Sequence, residues 1–557
     1  MKRLPLGIQN FREIKTGGYV YVDKTQYIYE LLNDAKCYFL SRPRRFGKSL
    51  FLDTIGEAFS GDKELFKGLF IYDSDYTFEK HPVIRFDMSN ISNKTPEALE
   101  ESLSIELKRR FKKEGFGIDY GMPPDLFKTL IEELHDKYDQ RVVVLIDEYD
   151  KPILDHISHL ETAEANRDVL RSFYGVLKSM DPFLRFTFIT GVTKFTKTSI
   201  FSGLNNLRDI TMSRKYSNIC GIPIEELDKY FSEHIESLAK TQETQGDGSL
   251  VFLNTGEPSP CVSLSPCVSL HKSISDGILS WYDGYSWDGK TRVINPFALL
   301  NFFSEGRFLS FWYSSGTPKF LMDLIIKDPR VYINLKDLKI TEIMLDASEL
   351  DTIEPGLLLF QTGYLTVKEI TRAMDEDVYL LEMPNNEVKK AFNLHVVAAF
   401  TEKGQIHAKQ IQLDMNEALR KNDLHKALEI LRGIYAGVPY QLHVDLEAYY
   451  HSIFYSVMSA LGFDVSAEVS VSGGRIDAVL ELEEAIFVIE FKYWKCLADA
   501  TPEDKQKLFE KALDEGMRQI KDKGYANKYS GSGKKIYLIA FAFLGRAAIE
   551  MEVEFIS

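Results

Sequence analysis

The chain has 557 residues, 45% of them hydrophobic, 12% aromatic and 27% charged, which suits roughly three cores of ~150–200 residues rather than one. A net charge of −15 excludes nucleic-acid binding through the whole surface and leaves only local basic clefts for that task. No apolar run reaches the ~20 residues of a membrane span, the opening MKRLPLGIQNFREIK lacks a signal-peptide stretch, and five cysteines with no CxxC argue against a disulfide framework, so the cytoplasm is the expected compartment.

Residues 1–36 contain YVYVDKTQYIYELL, where Asp23 or Thr25 can cap a helix with Tyr27, Ile28, Leu31 and Leu32 on one face. Cys37 to Ser49, CYFLSRPRRFGKS, follows. It predicts a buried strand, a turn-rich loop and a helix from about Ser49 to Phe59. Gly47-Lys48-Ser49 completes the second half of the G-K-[ST] phosphate-binding pattern. In that chemistry Gly47 lets backbone N–H groups close on phosphate oxygens, Lys48 reaches the terminal phosphates, and the Ser49 hydroxyl ligates Mg²⁺. Arg42 stands where the motif has its first glycine, and Pro43, Arg44 and Arg45 lie inside the loop.

A second strand is expected at His81–Asp87, a charged amphipathic helix at Pro96–Phe116, and another helix near Leu126–Tyr138. RVVVLIDEYD, Arg141–Asp150, then has five apolar residues ending in Asp147-Glu148. That is the pattern of a buried parallel strand with acids at its carboxyl end. Asp147 is the candidate to organise Mg²⁺ and Glu148 the candidate to polarise an attacking water. A core strand running into a polar turn gives the same string, and it is the pairing with Gly47-Lys48-Ser49 that makes it informative. After a helix near Arg167–Met180, the strand Leu184–Thr190 ends beside Thr190, Thr193, Lys194 and Lys197, all candidates to approach a γ-phosphate. Arg208 is a further candidate for stabilising charge. Strand–helix alternation of this kind predicts a parallel sheet with helices on both faces.

Ile224–Leu238 reads as an acidic helix. Gln242–Leu270 is rich in Gly, Ser, Thr and Pro, and repeats itself in SPCVSLSPCVSL at Ser259–Leu270, which predicts a flexible insertion over about 236–275. No metal-ligand cluster surrounds Cys261 or Cys267. WYDGYSW and a helix at Pro296–Phe303 then open a mostly helical, or winged, region over 276–400, with 1–235 as the nucleotide-binding domain before it.

Residues 401–557 carry a chemistry of their own. Helices are expected within Gln405–Tyr435 and at Leu446–Leu461. GGRIDAVLELEEAIFVIEFKYWK then reads as a β-hairpin turning at Glu483-Glu484. Pairing Leu482 with Ala485 across a two-residue turn sets Asp477 opposite Glu490, and opposed residues share a face. Lys492 is two residues on and shares it too. Facing carboxylates repel unless a cation lies between them, which points to a hard divalent metal at Asp477 and Glu490. Lys492 would then orient water or stabilise phosphorane charge. A solvated salt bridge between Glu490 and Lys492 is the plainer account, and the apolar neighbours Val488, Ile489 and Phe491 weigh against it. Glu447 is a candidate third acid. The helix Glu503–Lys523 and nearby lysines are modestly basic, and the strand Lys535–Phe543 closes the domain.

Two families are resembled. YVDKTQYI, RPRRFGKS, LIDEYDKPI and WYDGYSW, within about 1–330, resemble the bacterial AAA-ATPase-like family, whose loop has this arginine-rich form in place of the first glycine. GRIDAVLE, VIEFKYW and ALDEGMRQIKDKGY, within about 400–557, resemble the PD-(D/E)XK nuclease superfamily domain that follows this ATPase in the same proteins. The resemblance implies ATP–Mg²⁺ binding through Arg44, Arg45, Gly47, Lys48, Ser49 and Asp147, with Glu148 catalytic. It also implies a Mg²⁺- or Mn²⁺-dependent phosphodiesterase site at Asp477, Glu490 and Lys492, with Gln519 as an accessory. DNA or RNA is the expected partner of the tail. A sensor that binds nucleic acid without cutting it, and an ATPase in which nucleotide is only a structural ligand, remain alternatives, and oligomerisation stays open.

Overall fold

The computed structural model describes residues 1–117, 121–194, 200–201, 204, 206–245, 266–312, 338–346, 354–373, 375–400, 404–436, 447–463, 465–471, 474–482, 484–495, 501–544 and 548–556. Lys197, Cys261 and residues 246–265, half of the expected insertion, lie outside them. The chain forms two compact units, one of residues 1–316 and 337–388, the other of 317–336 and 389–557. Among the described residues no helix is long and apolar enough to cross a membrane.

The first unit is built on a parallel sheet. β1 (Cys37–Ser41), β2 (Val83–Asp87), β3 (Val142–Asp147), β4 (Leu184–Gly191) and β5 (Arg208–Asp209) lie in the order β2-β3-β4-β1-β5, and every neighbouring pair is parallel. β1 and β3 are buried along their whole length, which is why both read as continuous apolar runs rather than alternating ones. Helices cover both faces. Arg85 of β2 reaches the helix Lys48–Ala58, whereas Phe86, the next residue, packs on Phe127 and Phe173 of the helices Pro123–Tyr138 and Leu160–Ser179. Successive strand residues point to opposite faces, so these contacts fix the two layers.

The helix Leu160–Ser179 starts earlier than its sequence pattern suggested, because Ala163 and Asn166 are buried. Asn166 donates to the carbonyls of Asn93 and Pro152, a tertiary requirement that periodicity does not reveal. Helices Ile224–Gln245 and Pro266–Tyr282 run into the expected insertion from its two sides, so helix extends beyond the boundaries 236 and 275. They pack with Pro296–Glu305 around Leu227, Phe231, Ile278 and Phe302. The middle region also holds an antiparallel sheet, with β6 (Lys339–Thr341), β7 (Thr366–Ala373) and β8 (Glu376–Glu382) in the order β6-β8-β7.

In the second unit β9 (Val465–Val471), β10 (Gly474–Glu481), β11 (Ala485–Trp494), β12 (Lys535–Leu544) and β13 (Ala548–Phe555) form a mixed sheet in the order β13-β12-β11-β10-β9. Only β11 and β12 run parallel. Phe487, Ile489 and Phe541 face the helices of 405–460, and Ile486, Val488 and Ala540 face the helix Pro502–Asp522. β11 is therefore buried on both faces for its first seven residues.

Candidate functional site

The loop after β1 is a clamp made from its own residues. Arg42 is fully buried. Its guanidinium donates to the carbonyls of Ser41, Thr211 and Tyr216 at 2.9, 2.8 and 3.2 Å and stacks 3.9 Å from the centre of the Trp287 ring. Phe46 packs edge-on to Tyr285 and Trp287. The residue standing at the first-glycine position thus ties the loop to WYDGYSW. Arg42→Met, which keeps bulk and loses the donors, is expected to cost about 3 kcal/mol, at ~1 kcal/mol or more for each stranded carbonyl. Thermal unfolding checks this, and an unchanged Tm would refute the clamp.

Beyond the clamp the chain turns sharply. Arg45 has φ +68° and Gly47 has φ +88°, and the helix starts at Lys48. Lys48 is buried, and its Nζ donates to the carbonyls of Arg42 and Pro43 at 2.8 and 2.9 Å. Burial pulls its pKa down, while Asp147 and Glu148 oppose that. A bound phosphate would compete with those two carbonyls for the ammonium. Arg44 is half-buried and Arg45 exposed, and the Arg45 guanidinium lies over Phe297 at 4.5 Å. Gly47 lines an apolar cleft with Pro5, Val20, Tyr21, Leu50 and Ile222.

Across the sheet, β4 lies between β1 and β3, and its end orients the acids of β3. Thr190 Oγ1 donates to Asp147 Oδ1 at 2.5 Å, and the Glu148 amide donates to the same oxygen at 3.1 Å. Glu148 has φ +53°, a backbone state uncommon outside glycine and often found at functional turns. Desolvation raises its pKa, with Lys48 working against the shift. Asp150 is buried and accepts from the amides of Val192 and Thr193 and from Thr193 Oγ1. Thr190 and Thr193 each hold a carboxylate here, Thr190 that of Asp147 and Thr193 that of Asp150. Lys194 pairs with Asp209 at 3.0 Å, and Arg208 pairs with Asp34. The sequence reading missed the parts played by Asp150 and Arg42. The acid four residues after Ile146 was the available signal for the first; for the second there was none.

In the second unit the β10–β11 ladder has the predicted register, with Ala478 opposite Ile489 and Leu480 opposite Phe487, and the Leu482 amide bonds to the Ala485 carbonyl. One residue past the last paired position, Asp477 Oδ2 accepts from the Phe491 amide at 2.9 Å. Glu490 is 1% exposed. Lys492 Nζ lies 3.0 Å from Glu490 Oε1 and 3.0 Å from Gln519 Oε1, the latter on the helix Pro502–Asp522. Tyr455 donates to the Asp477 carbonyl. The side chain of Glu447 lies outside the described residues. Asp477 and Glu490 offer hard oxygen donors, suited to Mg²⁺ that keeps water or phosphate ligands. Among the described residues no three His, Cys, Asp or Glu side chains converge.

Gly516 lets the helix lie close to this corner. A Cβ there would stand 3.0 Å from Ala540 Cβ and 3.6 Å from Lys492 Cγ. Gly516→Val is expected to push the helix off β11 and β12 and to cost ~1–3 kcal/mol through overpacking. Denaturant unfolding measures this, and a stability within about 0.5 kcal/mol of the parent would show that the helix has slack.

Residues 5–201 match a family profile described as a predicted AAA-ATPase, and residues 445–552 match one described as the PD-(D/E)XK nuclease superfamily. A relative, the uncharacterized protein in the vnfD 5′ region of Azotobacter chroococcum mcd 1, is 35% identical over 97% of this chain and 96% of its own. The chain belongs to this AAA-ATPase-like family with a C-terminal PD-(D/E)XK nuclease superfamily domain. A solved ORC2 protein of Aeropyrum pernix (ADPNP–ADP complexes) aligns with 70% of this chain and 98% of its own at 12% identity and a TM-score of 0.26, a likeness from which nothing further follows. The arginine-rich loop thus lies within the AAA-ATPase match, and the β10–β11 corner within the PD-(D/E)XK nuclease superfamily match.

Proposed function

We propose that the chain is an ATP-hydrolysing switch joined to a Mg²⁺-dependent phosphodiesterase that cuts DNA or RNA. The observation that carries this reading is the corner where Lys492 bridges buried Glu490 and Gln519 beside Asp477. A buried acid and a lysine fixed by two partners form a costly arrangement for a structural hairpin and a useful one for phosphoryl chemistry.

In the nuclease domain Asp477 and Glu490 hold Mg²⁺, or Mn²⁺ in its place. The ion, when bound, supplies Lewis-acid polarisation to the phosphodiester. Lys492 orients the attacking water and faces the charge that develops on phosphorus. Gln519 fixes the lysine's direction. In the ATPase module Gly47, Lys48, Arg44 and Arg45 bind the nucleotide phosphates. Ser49 and Asp147 hold its Mg²⁺, and Glu148 accepts a proton from the attacking water. Asp150 and Thr193 position the turn that carries Glu148.

The test uses the purified full chain with DNA and RNA of mixed sequence, Mg²⁺ or Mn²⁺, with and without ATP. Cleavage that EDTA abolishes and Mn²⁺ restores supports the reading. The net charge of −15 favours a second reading, in which the nuclease fold binds nucleic acid without cutting it. Retained binding with no cleavage under any metal would select it.

A further inference from the structure

The second half of the helix Pro96–Glu114 reads Lys108-Arg109-Arg110-Phe111-Lys112-Lys113, five cations in six residues of a chain whose net charge is −15. Leu99, Leu103, Leu107 and Phe111 form its buried stripe, so the cations must flank that stripe. Arg109, Arg110 and Lys113 line a groove of ≈ 560 Å³ with Arg85 of β2, over a floor that includes Ile84 and Leu130. β2 is an edge strand. Glu106 is the one carboxylate of the lining.

The cations fall into two groups. Arg110 has a structural duty, donating to the Val83 carbonyl at 3.0 Å and pairing with Glu114 at 3.1 Å. That bond blunts the open edge of β2 and discourages another strand from adding there. Arg109 is 74% exposed, its only close carboxylate being Glu106 at 3.2 Å among the described residues. Lys113 is exposed one turn further on, about 6 Å along the axis. Arg85 pairs with Asp53 and reaches the Ser49 carbonyl at 3.4 Å, both on the helix that follows the phosphate loop.

We infer that this groove, lined by Arg85, Arg109 and Lys113, is a docking surface for the phosphate backbone of a nucleic-acid strand. Arginine forks match phosphate oxygens in pairs, and a strand supplies negative charge at every nucleotide. The blunted edge disfavours a second copy added as a strand. The choice of nucleic acid as occupant rests on the reading of the chain as an enzyme of nucleic acid. Arg85 links the edge strand that walls the groove to the helix carrying Lys48 and Ser49, because its guanidinium bonds Asp53 and the Ser49 carbonyl there.

Fluorescence anisotropy of labelled DNA and RNA of about 20 nucleotides, single- and double-stranded, in EDTA separates binding from cutting. The full chain is compared with Arg109→Ala/Lys113→Ala and with a control, Lys229→Ala/Lys240→Ala, on the helix Ile224–Gln245. The expected result is binding weakened about tenfold in the groove variant alone, with the slope of log K against log salt reduced by about 2. A merely structural role would move melting temperature and leave that slope alone. Equal slopes and affinities for parent and groove variant would overturn the groove while leaving the nuclease reading standing. A parent that neither binds nor cuts would sink both. Loss of self-association in the groove variant, seen by sedimentation with nucleic-acid affinity unchanged, would assign the groove to a second copy and also overturn the inference.

Discussion

Glu490→Gln is expected to lower metal-dependent cleavage by about 10²–10³-fold, the range for losing one fixed electrostatic group in an active site. The substitution keeps the shape of a side chain buried between β11 and the helix Pro502–Asp522, so the fold should survive it. It removes one of two carboxylates at the corner and leaves Lys492 with a neutral partner in place of an ionic one. Both changes weaken the same step: Asp477 alone holds a divalent ion poorly, and Lys492 loses the contact that aims it. The measurement is the single-turnover cleavage rate over a Mg²⁺ titration, with anisotropy run in parallel. Loss of rate with retained nucleic-acid binding fits an active corner. A variant that cuts at the parent's rate would remove Glu490 from the chemistry and return it to the role of a buried ion-pair partner.

The second large effect concerns ATP. Glu148→Gln should reduce turnover by ~10²–10⁴-fold, the usual share of a general base, while nucleotide binding persists because the phosphate contacts come from elsewhere. Lys48→Ala should instead abolish binding, since it removes the buried ammonium at the start of the helix and leaves the Arg42 and Pro43 carbonyls without their donor. Equilibrium binding of a fluorescent ATP analogue, read beside phosphate release, separates the two outcomes. Loss of binding in both variants would mean that Glu148 supports the turn rather than the reaction. Slow turnover in the parent, unchanged by Glu148→Gln, would leave nucleotide as a structural ligand.

Local pattern carried much of this architecture. Two fully buried strands announced themselves as apolar runs, and a two-residue turn fixed the hairpin register, with Ala478 opposite Ile489 and Asp477 one residue beyond. The embedding of Glu490 between Ile489 and Phe491 also showed in the string, because a charge inside an apolar strand needs a reason. Long-range partners did not show. Arg42 looked like part of a phosphate loop, yet its guanidinium bonds the carbonyls of Thr211 and Tyr216, about 170 residues away. Thr190 and Thr193 looked like phosphate sensors, and their hydroxyls meet Asp147 and Asp150 only because β4 lies beside β3. The basic run at Lys108–Lys113 read as an ordinary charged helix face until the edge of β2 gave it a second wall.

The order of the parallel sheet has a consequence for synthesis. β1 is the first strand made, but both its neighbours come much later: Cys37 aligns with Thr187, and Tyr38 with Arg208. At roughly 5–20 residues per second, the ribosome needs about 8–30 s after β1 to deliver β4. During that interval CYFLS is an apolar strand with two open edges, and the phosphate loop has no frame. The nascent chain is therefore exposed to chaperones and to aggregation in a way the finished protein is not, and a product truncated before Leu184 cannot assemble the nucleotide site.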